Sequence, residues 1–341
     1  MSSKKRTFET NAKDLNQYFT NSKLAGDVFG LVESIFDPTG SKLYIEPAAG
    51  DGAFFYLMPS NRRIGVDIDA ELKSQHPEYI IADFTLQSRE SLTSKPAKDV
   101  IVLGNPPFTK RTVVSKASAI KNRLTGGCTN MSLKFINHAA TMSDTVCFLV
   151  GCNMKKLSIQ EKINPELHLV HEKIINSQLW KKNEKIAFTL GVGSKKIDHI
   201  NIVFQVWQRK YDDAGNMILR KSHFLNVPKL KAGKWHDGDF EIMEATSEHS
   251  NIAIRCQGSL ELIGDVIVDA TKLTNLRLES AKKKKGRNSG TFLFLRTENF
   301  DHVKEKLISL KQKICDYCKY TNMGWSVSFN MMDLLKIYTE N

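Results

Sequence analysis

Asn105-Pro106-Pro107-Phe108 follows directly on the apolar run Asp99-Val100-Ile101-Val102-Leu103-Gly104. The run reads as a strand, so the tetrad stands at a strand's carboxyl edge. The Asn105 side-chain oxygen and the Pro106 carbonyl offer two acceptors for the N–H groups of a flat, planar amine. An exocyclic amine on adenine is a poor nucleophile, because its lone pair is delocalised into the ring. Two acceptors favour the pyramidal nitrogen that attacks. Pro106 and Pro107 have restricted φ and no N–H, which holds the Pro106 carbonyl in one direction. Phe108 can stack on a base. The competing reading is a strand broken by two prolines, with Phe108 in the core.

The second group of chemistry-bearing residues lies upstream. Glu46-Pro47-Ala48-Ala49-Gly50-Asp51-Gly52 follows an apolar strand and fits a tight turn into a helix. Gly50 and Gly52 let backbone approach a ligand closely. The segment lacks the G-x-G-x-x-G spacing of a dinucleotide fingerprint. Glu46 and Asp51 would repel a pyrophosphate, but they suit a cationic sulfonium carrying an ammonium group. Asp67 ends the next strand, where a carboxylate can accept both hydroxyls of a ribose; Asp69 competes for that role. Asp83 can bond an adenine amino group, and Phe84 can line its face. Each residue alone is consistent with ordinary turn chemistry, whereas their recurrence at successive strand ends favours a ligand. In open α/β sheets ligands bind beyond the carboxyl ends of the strands. No metal, cysteine nucleophile or strong general base is needed, because alignment with an activated donor contributes most.

These motifs carry a family resemblance. Residues 17 to about 208 resemble the class I S-adenosylmethionine-dependent amino-methyltransferases, in the motif order of the gamma group of DNA adenine-N6 methyltransferases. Gln17-Tyr18-Phe19-Thr20 is similar to the N-terminal Q-Y-F-T-P motif that closes over the cofactor's methionine end, with Asn21 where Pro is usual. Glu46 to Gly52 resembles D/E-P-x-x-G-x-G, and Asn105 to Phe108 resembles N-P-P-F/Y/W. The resemblance implies S-adenosyl-L-methionine as cofactor, held by Tyr18, Phe19, Thr20, Glu46, Pro47, Ala48, Gly50, Gly52, Asp67, Asp83, Phe84 and Asn105. It implies Asn105, Pro106, Pro107 and Phe108 as catalytic residues and a base flipped into their pocket. A second aromatic on the base's other face is expected at Phe188, with Phe204 the alternative. RNA adenine methylation shares the motif. Protein glutamine methylation is disfavoured by Phe108 and by the long basic C-terminal half. A nucleic-acid-binding protein without catalysis is the reading from another class.

Charge points to the same kind of partner. The net charge of +12 favours a polyanion. Between Asn105 and Lys134 there is no acidic residue, yet Lys110, Arg111, Lys116, Lys121, Arg123 and Lys134 all occur. Lys110 and Arg111, directly after the tetrad, are expected to bind substrate. DNA is the expected partner, with RNA the alternative. No run is long and apolar enough for a membrane span, and the scattered cysteines suit reduced thiols in an intracellular setting. Cys315 and Cys318 form a lone C-x-x-C without convincing further ligands, so no metal is expected.

The elements that must position these residues are legible from periodicity. Residues 23–36 read as an amphipathic helix with Leu24, Val28, Leu31, Val32 and Ile35 on one face. Strands are expected at Leu43–Ile45, Ile64–Ile68, Tyr79–Ala82, Val100–Leu103 and Val146–Val150, with a helix around Leu133–Ala140. Strands alternating with helical connections predict a Rossmann-like, mostly parallel α/β sheet flanked by helices. Lys185–Leu190 and Ile200–Gln208 are expected to add an antiparallel edge. Tyr211-Asp212-Asp213-Ala214-Gly215-Asn216-Met217 reads as a hairpin turn. The texture changes after Arg209, dividing a catalytic domain at 1–209 from a smaller α+β target-recognition domain at 210–341. There Trp235, Arg255 and the run Lys282 to Arg287 are candidates for phosphate or base contacts.

Overall fold

A computed structural model describes residues 18–107, 130–175, 188–190, 196–197, 202–222, 239–243, 247–283, 292–321 and 327–339. Gln17, Phe108, Lys110, Arg111, Lys116, Lys121, Arg123, Trp235 and Lys284 to Arg287 lie outside the described residues. The chain forms two compact units, Met1–Met154 with Ile159–Lys221, and Lys155–Ser158 with Ser222–Asn341.

The first unit is built on an eight-stranded sheet. Strands β2 (Leu43–Glu46), β3 (Arg63–Asp67), β4 (Ile80–Ile81), β5 (Val100–Gly104) and β6 (Thr145–Gly151) run parallel in the spatial order β4-β3-β2-β5-β6. The central strands β2, β5 and β6 are buried along their whole lengths. Continuous apolar runs are what a parallel sheet covered on both faces demands. Strand β7 (Leu167–Ile175) joins through β10 (Ile202–Tyr211), which lies antiparallel between β6 and β7. The antiparallel edge expected at Ile200–Gln208 is thus made by β10 together with β7, and Phe204 and Trp207 of β10 are buried. A short strand β11 (Met217–Ile218) folds back on the end of β10 through the expected hairpin, where Asp212 Oδ1 accepts from Ala214 N and Asn216 N and Gly215 takes φ +81°.

Phe188–Leu190 (β8) does not join this sheet. It pairs with β1 (Tyr18–Thr20) and β9 (Lys196–Ile197) in a separate three-stranded sheet. Helix α1 (Ser22–Phe36) follows β1 and buries Leu24, Ala25, Val28, Phe29 and Val32. Its buried stripe is rotated from the expected one: Ala25 and Phe29 replace Leu31 and Ile35, and Ile35 is exposed. Short turns rather than full helices link β2 to β3 and β3 to β4. The segment after Glu46 forms two 3-10 turns, Phe55–Leu57 and Ser60–Arg62, in place of the expected helix. A four-residue helix α2 (Arg89–Leu92) precedes β5, and α3 (Met131–Ala139) leads into β6. Helix α4 (Leu157–Gln160) follows β6.

The second unit mixes short strands with helices. Strands β12 (Glu241–Met243), β13 (Ile252–Arg255), β15 (Val266–Ile267) and β16 (Phe292–Arg296) form a four-stranded sheet, and β14 (Gln257–Gly258) pairs with β17 (Val327–Ser328). The helices are α5 (Ala270–Lys283), α6 (Phe300–Ser309), α7 (Lys311–Thr321) and α8 (Met331–Thr339). Asn330 and Asp333 cap α8 reciprocally: Asp333 N donates to Asn330 Oδ1 at 3.1 Å, and Asn330 N donates to Asp333 Oδ2 at 3.0 Å. Cys318 is buried in this unit's core, and the Cys315 thiol donates to the carbonyls of Leu260 and Ile263. Arg255 lies over the Phe292 ring at 4.7 Å.

The first unit runs past Arg209 for a physical reason. Arg209, near the end of β10, donates to Asp144 Oδ1 at 2.8 Å, to Glu166 Oε2 at 2.6 Å and to the Ala140 carbonyl at 2.7 Å. It thereby ties β10 to the residues entering β6 and β7. Arg220 Nη2 extends the unit further by donating to the carbonyls of Gln160 and Ile163, both at 2.9 Å. Breaking one side of a largely buried charge network strands its partners. Arg209→Ala is therefore expected to lower stability by about 3 kcal/mol, measured as the shift in urea unfolding of the full chain.

Candidate active site

The cleft lies at the carboxyl ends of β2 and β5, as the open-sheet rule requires. Its walls include Phe19 and Thr20 from β1, Glu46 from β2, the loop residues Ala48, Ala49, Gly50, Asp51 and Ala53, and Asn105 just after β5. Sequence-distant candidates thus meet in one place.

The loop after β2 is shaped by two glycines in the left-handed region, Gly50 at φ +52° and Gly52 at φ +83°. A Cβ at Gly50 would stand 3.2 Å from the Phe19 ring. One at Gly52 would stand 2.5 Å from the Tyr56 ring and 2.8 Å from the Tyr79 hydroxyl. Gly104, which sequence reasoning passed over, has a packing role: its Cβ would lie 3.3 Å from Glu46 Cγ and from Pro47 Cδ. The missing side chain lets the ends of β2 and β5 approach. Its signal in the sequence was a glycine closing an apolar strand.

Acidic groups dominate the floor. Glu46 is only 2% exposed, and its Oε2 has no hydrogen-bond partner within the protein. Burial pushes its carboxyl well above the ordinary glutamate range, reinforced by the charges of Asp51 and Asp67 and opposed by a hydrogen bond from the Phe55 N–H. Asp67 is buried too, and desolvation raises its pKa. Its Oδ2 accepts from Gly50 N at 2.8 Å and its Oδ1 from Asp69 N at 2.9 Å, so it also fixes the loop. Asp51 stands at the exposed lip, ringed closely enough by protein that desolvation raises its carboxyl. Asp69 instead caps the turn after β3, accepting from Glu71 N.

The orphaned Glu46 oxygen, the glycine cradle and the acidic donor set fit a cationic ligand with a sulfonium and an ammonium group. They do not suit a pyrophosphate.

Asn105 Nδ2 donates to Thr20 Oγ1 at 3.1 Å, joining β1 to the end of β5. Pro106 is buried. The Pro107 carbonyl accepts from Ser132 Oγ at 3.2 Å, which anchors the chain beyond the prolines to α3. Asn21, the departure from the family's Pro, caps α1 by accepting from Lys23 N and Leu24 N. Phe188 sits opposite Thr20 in the β1–β8 register. Phe204, the alternative, is buried in β10 within the main sheet.

Two expected cofactor contacts also have structural partners of their own. Phe84 is buried, stacked on Phe135 at 5.6 Å and edge-on to His138 at 5.1 Å. Asp83 Oδ1 is engaged by Thr85 N and Thr85 Oγ1, as the cap of a 3-10 turn. Phe84 thus packs on α3, and Asp83 Oδ1 serves the local turn. Lys134, the described member of the basic stretch, donates to Thr85 Oγ1 at 2.7 Å. Among the described residues no helix is long and apolar enough to cross a membrane.

No family model matches the chain, and no curated protein does. Solved structures resemble it at low identity. One is a Pyrococcus horikoshii protein provisionally described as an RNA methyltransferase, 18% identical, with TM-score 0.39 over 60% of this chain and 92% of that one. A type I restriction-modification methyltransferase subunit from Streptococcus thermophilus is 12% identical, with TM-score 0.34 over 94% of this chain and 62% of that one. The type IIL restriction-modification enzyme MmeI, solved with DNA, is 11% identical, with TM-score 0.34 over 93% of this chain and 54% of that one. Likeness at this level assigns no activity.

A buried carboxyl with a raised pKa makes stability pH-dependent with a definite sign. Below the ordinary glutamate range Glu46 is protonated whether the chain is folded or not. As pH rises from that range through the raised folded value, the unfolded chain ionises first and the fold loses stability. Glu46→Gln is expected to flatten this decline in the melting temperature of the ligand-free protein. The same substitution should weaken binding of a sulfonium ligand by about 10-fold or more, measured by titration calorimetry.

Proposed function

We propose that the chain transfers a methyl group from S-adenosyl-L-methionine to the exocyclic N6 amine of adenine in DNA. The observation that carries this reading is the convergence of Glu46, Gly50, Asp51 and Asn105 on one cleft beyond β2 and β5. Cation-attracting groups and amine-accepting groups thereby stand side by side.

Bound in the cleft, the cofactor supplies a sulfonium methyl already activated toward a nucleophile. Glu46 and Asp51 attract its positive charge, Gly50 lets the loop pass close to Phe19, and Gly52 lets it pack on Tyr56 and Tyr79. Asp67 holds the loop through Gly50 and is the residue we assign to the ribose hydroxyls. Asn105 Oδ1 and the Pro106 carbonyl accept the two N–H groups of the amine, which localises its lone pair for attack. Pro106 and Pro107 fix the direction of that carbonyl. Alignment of this kind is worth several kcal/mol, on the order of 7–11 in well-oriented cases. Phe108 and Phe188 are assigned to the two faces of the flipped base, Phe188 supported by its place opposite Thr20.

The net charge of +12 supports a polyanionic acceptor. Lys110 and Arg111, beside the tetrad in sequence, are assigned to its phosphates. The C-terminal unit, Ser222–Asn341 with Lys155–Ser158, is assigned to target recognition.

Tritiated methyl transfer onto DNA, RNA and protein pools, followed by nucleoside analysis, tests the reading. Label in N6-methyladenine of DNA is the expected outcome. Label in RNA alone, or in protein glutamine, would replace it. Asn105→Ala is expected to abolish transfer while cofactor binding persists, and full activity in that variant would remove the catalytic assignment.

A further inference from the structure

We infer that Thr20 is a positioning residue, whose hydroxyl turns the Asn105 amide so that its carbonyl end serves the acceptor amine; the role rests on the proposed methyl transfer. An asparagine amide has two ends of nearly equal shape and opposite hydrogen-bonding character. With the amide reversed, Asn105 would present N–H donors to an amine that itself donates, and the two acceptors needed there would become one. In the structure Nδ2 is the end that meets Thr20 Oγ1, at 3.1 Å.

A hydroxyl can donate as well as accept, so its surroundings decide which amide end it holds. Thr20 and Asn105 line the same cleft as Glu46 and Asp51. In that setting the Thr20 oxygen is the acceptor and Asn105 Nδ2 the donor, which turns the carbonyl end of the amide away from Thr20.

Thr20 is well placed for this work. It is 8% exposed and belongs to β1, where it pairs with Phe188 of β8. A β-branched side chain on a strand has few χ1 options, and a group on a regular element is held more closely than one on a loop. Asn105 itself follows the last residue of β5, so its amide is held from a second strand end.

The test uses the full chain with DNA and S-adenosyl-L-methionine. Thr20→Val keeps the shape and removes the hydroxyl, Thr20→Ser keeps the hydroxyl, and Thr20→Ala guards against a valine that does not fold. Val and Ala are expected to lower kcat by about 10-fold to 100-fold, with cofactor Kd changed by less than about threefold and Ser restoring most of the rate. The 15N-labelled side-chain amide of Asn105, identified by its loss in Asn105→Ala, should shift in Thr20→Val and return in Thr20→Ser. Wild-type turnover in Val and Ala, loss of cofactor affinity alone, or a Ser variant as impaired as Val would overturn the role. Transfer by the wild type with an unmoved Asn105 amide in Thr20→Val sinks the role alone. A wild type that methylates neither DNA nor RNA sinks the underlying reading, and the role with it.

Discussion

A glutamate carboxyl held out of water with one oxygen unpartnered is the constraint around which the first unit is arranged. Glu46 ends the central strand β2, and both of its sheet neighbours, β3 and β5, contribute to its surroundings. Asp67 at the end of β3 adds negative charge and clamps the glycine loop through Gly50. Gly104 at the end of β5 leaves room for the Glu46 stem and for Pro47. Such an arrangement costs stability in the absence of a counter-charge, because an ionised carboxylate loses its hydration on burial. Its persistence makes sense where a cationic ligand completes it, and local destabilisation is a common property of binding sites.

The second organising contact joins segments far apart in the chain. Thr20 and Asn105 bring β1 and the end of β5 together, while β8 pairs with β1. The segment that the resemblance assigns to cofactor closure is thereby bonded to the residue assigned to the amine. It also carries, as its strand partner, the residue assigned to the base. Two segments assigned to different partners of the proposed reaction are thus held by one short strand. The Pro107–Ser132 bond stabilises the other side of the tetrad against α3.

The units differ in how their polar groups are used. In the first, Arg209 and Arg220 bind the sheet's last strands to the loops beneath them, which is why that unit extends to Lys221. In the second, the Asn330–Asp333 cap and the Tyr317 hydroxyl on Asp333 organise the last helix. These are structural polar contacts, in contrast to the incompletely satisfied acid of the cleft.

Much of this was written in the sequence. The apolar runs at Val100–Leu103 and Val146–Val150 announced buried strands, because parallel strands covered on both faces need side chains that tolerate no water. The glycine loop was legible because φ beyond +20° restricts the residue type, and Gly50 and Gly52 take it. Tertiary structure decided what local pattern cannot carry. Ile35 continued the helical stripe yet was left exposed, because the neighbours of α1 cover a face rotated toward Ala25 and Phe29. Phe84 follows a strand-end acid, and its stacking on Phe135 of α3 is a contact that only the fold supplies. The antiparallel edge was expected, but its second strand β7 was not, since antiparallel pairing depends on long-range partners. The pairing of Thr20 with Asn105 likewise spans 85 positions of chain. Residue chemistry determined which groups could accept an N–H or attract a cation, and only the packing of distant strand ends decided which of them line one cleft.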